Sequence, residues 1–144
     1  KKVLPLMGNE PFYILNSDMI WKDKGQGALN RLATEWRDDM DVLLLLVKRS
    51  EANGHDGAGD FNMDNDGRLT FRNENTFSDY FYGGIHIIRP TCFDSIKENK
   101  FSLRKVFRQT EATGRLFGLL HNGSWYHVGT PVSVHETEKL LKGK

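Results

Sequence analysis

Pro11-Phe12-Tyr13-Ile14-Leu15-Asn16-Ser17-Asp18 is the stretch that decides how this chain reads. Large apolar and aromatic residues closed by three small polar ones predict a buried strand ending in an open turn. Asp18 then hangs over the crevice beyond the strand's carboxyl end, where open α/β sheets collect their ligands. Taken alone, the octapeptide fits better a short Asp that merely caps a turn. The next segments supply the context. Leu29, Leu32, Ala33 and Trp36 recur at helical spacing within residues 28–36 and predict an amphipathic helix. Val42 to Val47 is an unbroken apolar run, too short for a typical helix and suited to a strand buried on both faces. Strand, helix and strand in that order predict a βαβ unit whose two strands run parallel.

Further along, residues 50–60 are rich in Gly, Asn and Asp and read as a loop. Phe61 to Met63 and Leu69 to Arg72 flank Asp64-Asn65-Asp66-Gly67, a hairpin signal. Tyr80 to Ile88 is a long strand interrupted by Gly83-Gly84, which predicts a bulge or a close approach of the backbone to a ligand. Pro90 starts a short helix to about Glu98, and a second helix spans about Ser102 to Thr113, closed by Gly114. Leu116 to Leu120 and Trp125 to Val128 read as strands around the turn Asn122-Gly123, and Pro131 opens a final helix. Residues 1–10 form a polar lead-in in which Pro5 and Gly8 break any regular element.

Composition narrows the function classes. With 144 residues, 38% hydrophobic and 27% charged, the chain suits one soluble domain with a real core. A net charge of +1 gives no electrostatic reason to expect nucleic acid or an anionic membrane as partner. Basic residues are scattered, and the densest clusters, at residues 22–24 and 103–108, are short. The single Cys92 leaves no internal disulfide and no Cys-based zinc site, which points to a reducing cytoplasm. No apolar run approaches the ~20 residues that span a bilayer, and the start has no signal-peptide pattern.

Several constellations carry little chemistry. Asn62, Asp64, Asp66, Gly67 and Leu69 match positions of a calcium loop, but the bidentate Glu position is Asn73 and the preceding segment is Gly-rich; a solvated hairpin turn is the better reading. Gly25-Gln26-Gly27 lies too far from the first strand for a dinucleotide fingerprint. His55, Asp56 and Asp60 share one Gly-rich loop without a second cluster at metal-ligand spacing, so a polar loop is preferred. His86, between isoleucines, reads as structural, and His121 has nothing to recommend it. Residues 123–131 differ. There a strand delivers His127, Gly129 allows a tight turn, and Thr130-Pro131 starts a helix, a turn able to offer backbone N–H groups to an anion. If it lies beside Asn16-Ser17-Asp18, an Asp and a His flank a site for phosphate and a divalent cation.

The string Pro11 to Asp18, the hairpin Asp66-Gly67-Arg68-Leu69-Thr70 and residues 81–87 together resemble the sugar-1-phosphate nucleotidyltransferases. So do Gly114-Arg115-Leu116-Phe117-Gly118 and residues 125–131. The resemblance extends over almost the whole chain. It is strongest to the bacterial branch of mannose-1-phosphate guanylyltransferases and N-acetylmuramate-1-phosphate uridylyltransferases. It implies a three-layer α/β/α fold with a mostly parallel, mixed, Rossmann-like sheet of the nucleotide-diphospho-sugar transferase type. The implied reaction is of the EC 2.7.7 type: the sugar 1-phosphate attacks the α-phosphorus of a nucleoside triphosphate, giving NDP-sugar and pyrophosphate. Such an in-line displacement needs positioning and charge neutralisation more than a covalent nucleophile.

Carried over by resemblance, Asp18 is the catalytic, magnesium-binding carboxylate. Gly83 and Gly84 lie against the sugar, while Asn16 and Ser17 shape the turn and touch the ribose. Gly129 and Thr130 belong to the anion-facing turn. His127 stands where many members have a second metal-binding Asp, and imidazole suits magnesium poorly; it serves either as a metal ligand or as a hydrogen-bond donor to phosphate. The family's Gly-rich loop ending in Arg does not occur in residues 1–144, so the expectation is a single domain corresponding to roughly the C-terminal three-fifths of a member. The alternative is a non-catalytic sugar-nucleotide-binding or regulatory module that keeps the fold without the triphosphate loop. Base, sugar and oligomeric state are not legible.

Overall fold

The computed structural model describes residues 3–143, so Lys1 and Lys2 of the lead-in lie outside the described residues. The predicted first strand forms as β1 (Phe12–Leu15) but is not buried as expected: among the described residues it is paired on one edge only, and Tyr13 and Leu15 are 37% and 45% exposed. The apolar run forms β3 (Val42–Lys48). Both pair with the long strand β7 (Tyr80–Ile88), and Phe12 and Val42 face the same β7 residue, Ile88, from opposite edges. Both pairings are antiparallel. The two strands of the βαβ unit therefore run parallel, as expected, with β7 inserted between them rather than hydrogen-bonded to one another.

On its other edge β3 pairs in parallel with β8 (Leu116–Leu120). The hairpin of β5 (Phe61–Met63) and β6 (Leu69–Phe71) joins β7 through Phe61 opposite Tyr80. In this six-stranded sheet β1, β3, β5 and β8 run one way, and β6 and β7 the other. The sheet is mixed.

The six apolar residues of β3 read along the strand as an alternation between two cores. Val42, Leu44 and Leu46 pack with Val106 and Phe107 of α3 (Leu103–Ala112) on one face. Leu43, Leu45 and Val47 pack with Ala28 and Leu32 of α2 (Ala28–Glu35) on the other. Helices therefore cover both faces, which is the three-layer α/β/α arrangement. Each fully buried leucine contributes roughly 1.5–3 kcal/mol of transfer free energy, enough to hold a strand with no polar face. Ser102 accepts the N–H of Arg104 to start α3. Gly27 is the N-cap of α2, where the Asp23 carboxylate accepts the Ala28 N–H. The Gly25-Gln26-Gly27 segment is thus a helix entry.

Four expectations need correction. The strands β8 and β9 (Ser124–His127) do not form a hairpin. β9 turns away into a separate sheet with β2 (Met19–Lys22), antiparallel, and β4 (Ala52–Asn53), parallel. Two of these strands fall where the sequence reads as loop, because strands this short carry no periodicity and exist only through pairing with β9. The lead-in holds one turn of helix, α1 (Leu4–Met7), and the helix from Pro90 ends at Phe93 as a 3-10 turn. α4 (Pro131–Lys142) closes the chain with Pro at its first turn, as read. None of the described helices is long and apolar enough to cross a membrane.

The glycines of β7 act as expected of them. The register of β3 against β7 shifts between Leu44 and Leu46, opposite His86 and Tyr82. Gly84 within that bulge has φ +82°, and a Cβ there would meet the Met19 sulfur at 3.0 Å. The bulge lets the small sheet settle on the large one, and the buried Trp125 indole N–H donates to the Gly83 carbonyl at 3.0 Å.

Candidate active site

Strand direction assembles the candidate site. β2 starts at Met19, directly opposite His127 at the end of β9, and β4 runs parallel to β9 and ends beside it. The start of one strand and the ends of two others therefore share one rim of the small sheet. Asp18 precedes β2, His127 ends β9, and His55 follows β4 by two residues. Three residues remote in sequence are brought together by short strands alone.

At this rim the His127 Nε2 lies 3.7 Å from Asp18 Oδ2, with 53% of the Asp18 side chain exposed. The carboxylate thus faces solvent. Its place does not depend on the side chain, since the Val128 N–H donates to the Asp18 backbone carbonyl at 2.8 Å. The Asn16 N–H donates to the Gly84 carbonyl at 2.8 Å, tying the turn to the bulge. Gly129 lies across from Asp18, and a Cβ on it would come within 2.6 Å of His127 Nε2. Asn16, Ser17, Asp18, Gly84, His127 and Gly129 thus cluster, with Gly83 behind them under Trp125.

Thr130 caps the last helix. Its hydroxyl accepts the Ser133 N–H at 3.1 Å, and its own N–H donates to Ser133 Oγ at 3.1 Å, a reciprocal cap on α4. The N–H groups of Thr130 and Ser133 are engaged within this cap.

His55 is the residue that sequence reasoning undervalued. Its ring packs edge-on against Phe81 at 4.4 Å between centroids and lies 5.1 Å from the His127 ring. A polar loop is the natural reading of Asn53-Gly54-His55-Asp56-Gly57; only β4 carries that loop to β9. The signal available was the His itself, the one aromatic residue in a run of small and polar ones. Asp60, from the same loop, points elsewhere and accepts the Tyr82 N–H at 3.0 Å. In the hairpin, Asp64 Oδ1 accepts the N–H groups of Asp66 and Arg68, so the calcium-like spacing makes a turn.

The chemistry of the donor set separates the two candidate metal ligands. Among the described residues no group of three or more His, Cys, Asp and Glu could hold a metal ion. Magnesium takes one or two carboxylates and completes its shell with water and phosphate oxygens, which the exposed Asp18 fits. Imidazole fits that ion poorly, and His127 suits an anionic oxygen better.

No family model matches the chain. It is 32% identical over 142 residues to an N-acetylmuramate alpha-1-phosphate uridylyltransferase of Caulobacter vibrioides, a match covering 98% of this chain and 59% of that protein. A protein of the same name from Neisseria meningitidis serogroup B is 30% identical over 142 residues, covering 96% of this chain and 58% of its own length. Among solved structures, a UTP-bound UGPase from Acinetobacter baumannii superposes with a TM-score of 0.74 at 10% identity, over 96% of this chain and 53% of that one. A UDP-glucose pyrophosphorylase complexed with UDP-glucose gives 0.71 at 14% identity, over 99% and 60%. The latter two speak for the fold. The chain is therefore a relative, in sequence and in fold, of the sugar-1-phosphate nucleotidyltransferases, and spans about three-fifths of the length of the relatives it matches.

Proposed function

We propose that the protein is a nucleotidyltransferase, acting in the cytoplasm, that converts a nucleoside triphosphate and a sugar 1-phosphate to NDP-sugar and pyrophosphate. The observation that carries this reading is the meeting of Asp18, His127 and the Gly84 bulge on one rim, in a chain related to such enzymes. UTP and N-acetylmuramate α-1-phosphate are the first pair to test, since both uridylyltransferase relatives bear that name.

In the reaction, an oxygen of the sugar phosphate forms a bond to the α-phosphorus of the triphosphate, and the bond from that phosphorus to pyrophosphate breaks. Asp18 would hold a magnesium ion, which when bound would neutralise charge on the phosphates. His127 donates a hydrogen bond to a phosphate oxygen. Asn16 and Ser17 shape the turn against the ribose, and the backbone at Gly83 and Gly84 faces the sugar. Gly129 keeps the space before His127 open. Thr130 acts indirectly by fixing the start of α4.

The test is pyrophosphate release by the full-length protein with magnesium, UTP and N-acetylmuramate 1-phosphate, followed by other nucleotide and sugar pairs. Steady release dependent on both substrates is the expected result. Binding of both without turnover would replace this reading by the non-catalytic module. His127→Asn, which keeps a donor, is expected to retain activity within about tenfold, whereas His127→Leu loses 10²-fold or more. Equal losses in the two variants would remove the hydrogen-bonding role.

A further inference from the structure

The opposite edge of the small sheet carries a second feature. β2 ends there at Lys22 and β9 begins there at Ser124, four-residue strands away from Asp18 and His127. A hollow of about 570 Å³ opens at this edge, lined by Lys22, Lys24, Arg31, Lys48 and His121 together with Asp23 and Glu51. That volume is in the range of small-molecule sites. The Asn122 side chain donates to the Lys24 carbonyl at 2.7 Å and pins the two loops that form its wall.

The charge balance of this hollow is uneven. Both carboxylates have work within the fold: Asp23 caps α2 through the Ala28 N–H at 2.8 Å, and Glu51 pairs with Lys48 at 3.4 Å. Lys22 and Lys24 make no ion pair among the described residues. The Arg31 guanidinium donates through Nη2 to the Leu120 carbonyl at 3.0 Å, while its Nη1 is buried without a partner. His121 is only 4% exposed; its Nε2 donates to the Ser124 carbonyl at 3.3 Å, and its Nδ1 is buried without a partner. Buried polar groups left in this way are costly and rare, and the two residues that carry them both border the same cationic hollow.

We infer that this hollow is a binding site for a small phosphorylated anion, separate from the Asp18–His127 rim. A phosphoryl group carries up to two negative charges and several acceptor oxygens, which matches the unpaired ammonium groups of Lys22 and Lys24 and the Arg31 guanidinium better than a single carboxylate does. The inference stands whether or not the nucleotidyltransferase reading does, because its test needs no turnover.

The experiment is a titration of the full-length protein with inorganic phosphate, followed by the backbone amide resonances in a ¹H–¹⁵N spectrum. The expected result is saturable shifts at residues 22–24 and 121–124. Lys22→Gln/Lys24→Gln, both exposed positions, weakens that binding at least tenfold and leaves the amides at 18 and 127–129 where they were. Shifts confined to 18 and 127–129, shifts unchanged in the double variant, or none at tens of millimolar phosphate would each overturn the site. Pyrophosphate in place of phosphate reports whether a longer phosphate chain is preferred.

Discussion

Asp18→Asn is expected to lower kcat by about 10³-fold while leaving the melting temperature of the protein unchanged. The reasoning starts from the fold. The Asp18 side chain is half exposed and makes no contact that a strand or helix needs. The element that fixes the turn is its backbone carbonyl, which accepts the Val128 N–H and survives any substitution. Asparagine keeps the shape and a polar contact to His127 but removes the negative charge. Loss of one preorganised electrostatic group at a developing phosphoryl charge costs about 10²–10³ in rate, and loss of the carboxylate that lies against His127 belongs at the upper end. The magnesium concentration giving half-maximal rate should rise in the variant as well. Turnover within tenfold of the parent would take Asp18 off the list of catalytic residues.

The second large effect concerns acid stability and rests on His86. This histidine lies in the middle of β7, fully buried, with Phe107 edge-on at 5.2 Å and the Tyr82 hydroxyl 2.5 Å from its Nδ1. Its Nε2 has no partner among the described residues. Burial lowers its pKa from the ordinary 6.5 to about 3, because a charged imidazolium would lose its water. Burial also raises the Tyr82 pKa, with a further push from the Asp18 charge, so the hydroxyl stays neutral. Between pH 6.5 and about 3 the unfolded chain protonates His86 and the folded one does not.

The unfolded state therefore binds more protons in that window, and stability falls as the pH is lowered. The contribution is fully present above pH 6.5 and is lost at about 1.4 kcal/mol per pH unit below it. Urea unfolding at several pH values between about 7 and 5 measures the slope, and His86→Gln supplies the comparison, since an amide does not titrate there. The parent should lose stability more steeply than the variant by that amount per unit. Equal slopes would mean that His86 takes up a proton in the folded state. The protein tolerates this cost because a neutral histidine at this place bridges Tyr82 and Phe107 across the core.

Where sequence and structure agree, the agreement has a local cause. The run from Val42 to Val47 has only one stable home, a strand with a core on either side, and it is there that the two clusters divide. The hairpin at Asp66-Gly67, the caps of α3 and α4, and the bulge at Gly83-Gly84 each depend on a few neighbouring residues whose backbone preferences are strong. Asp18 and His127 were legible as candidates because each follows a strand into a small-residue turn.

What stayed hidden depends on partners far along the chain. β2 and β4 have too few residues to show a period, and each is a strand only because β9 lies beside it. Their pairing carries His55 from a polar loop to the Asp18–His127 rim, and carries Lys22 and Lys24, unremarkable in the sequence, to the hollow bordered by Arg31 and His121. By itself the sequence determined the elements with a continuous apolar face and the chemistry available in its turns. Only the tertiary structure decided which turns meet, because backbone hydrogen bonds between remote short strands leave no pattern in either strand alone.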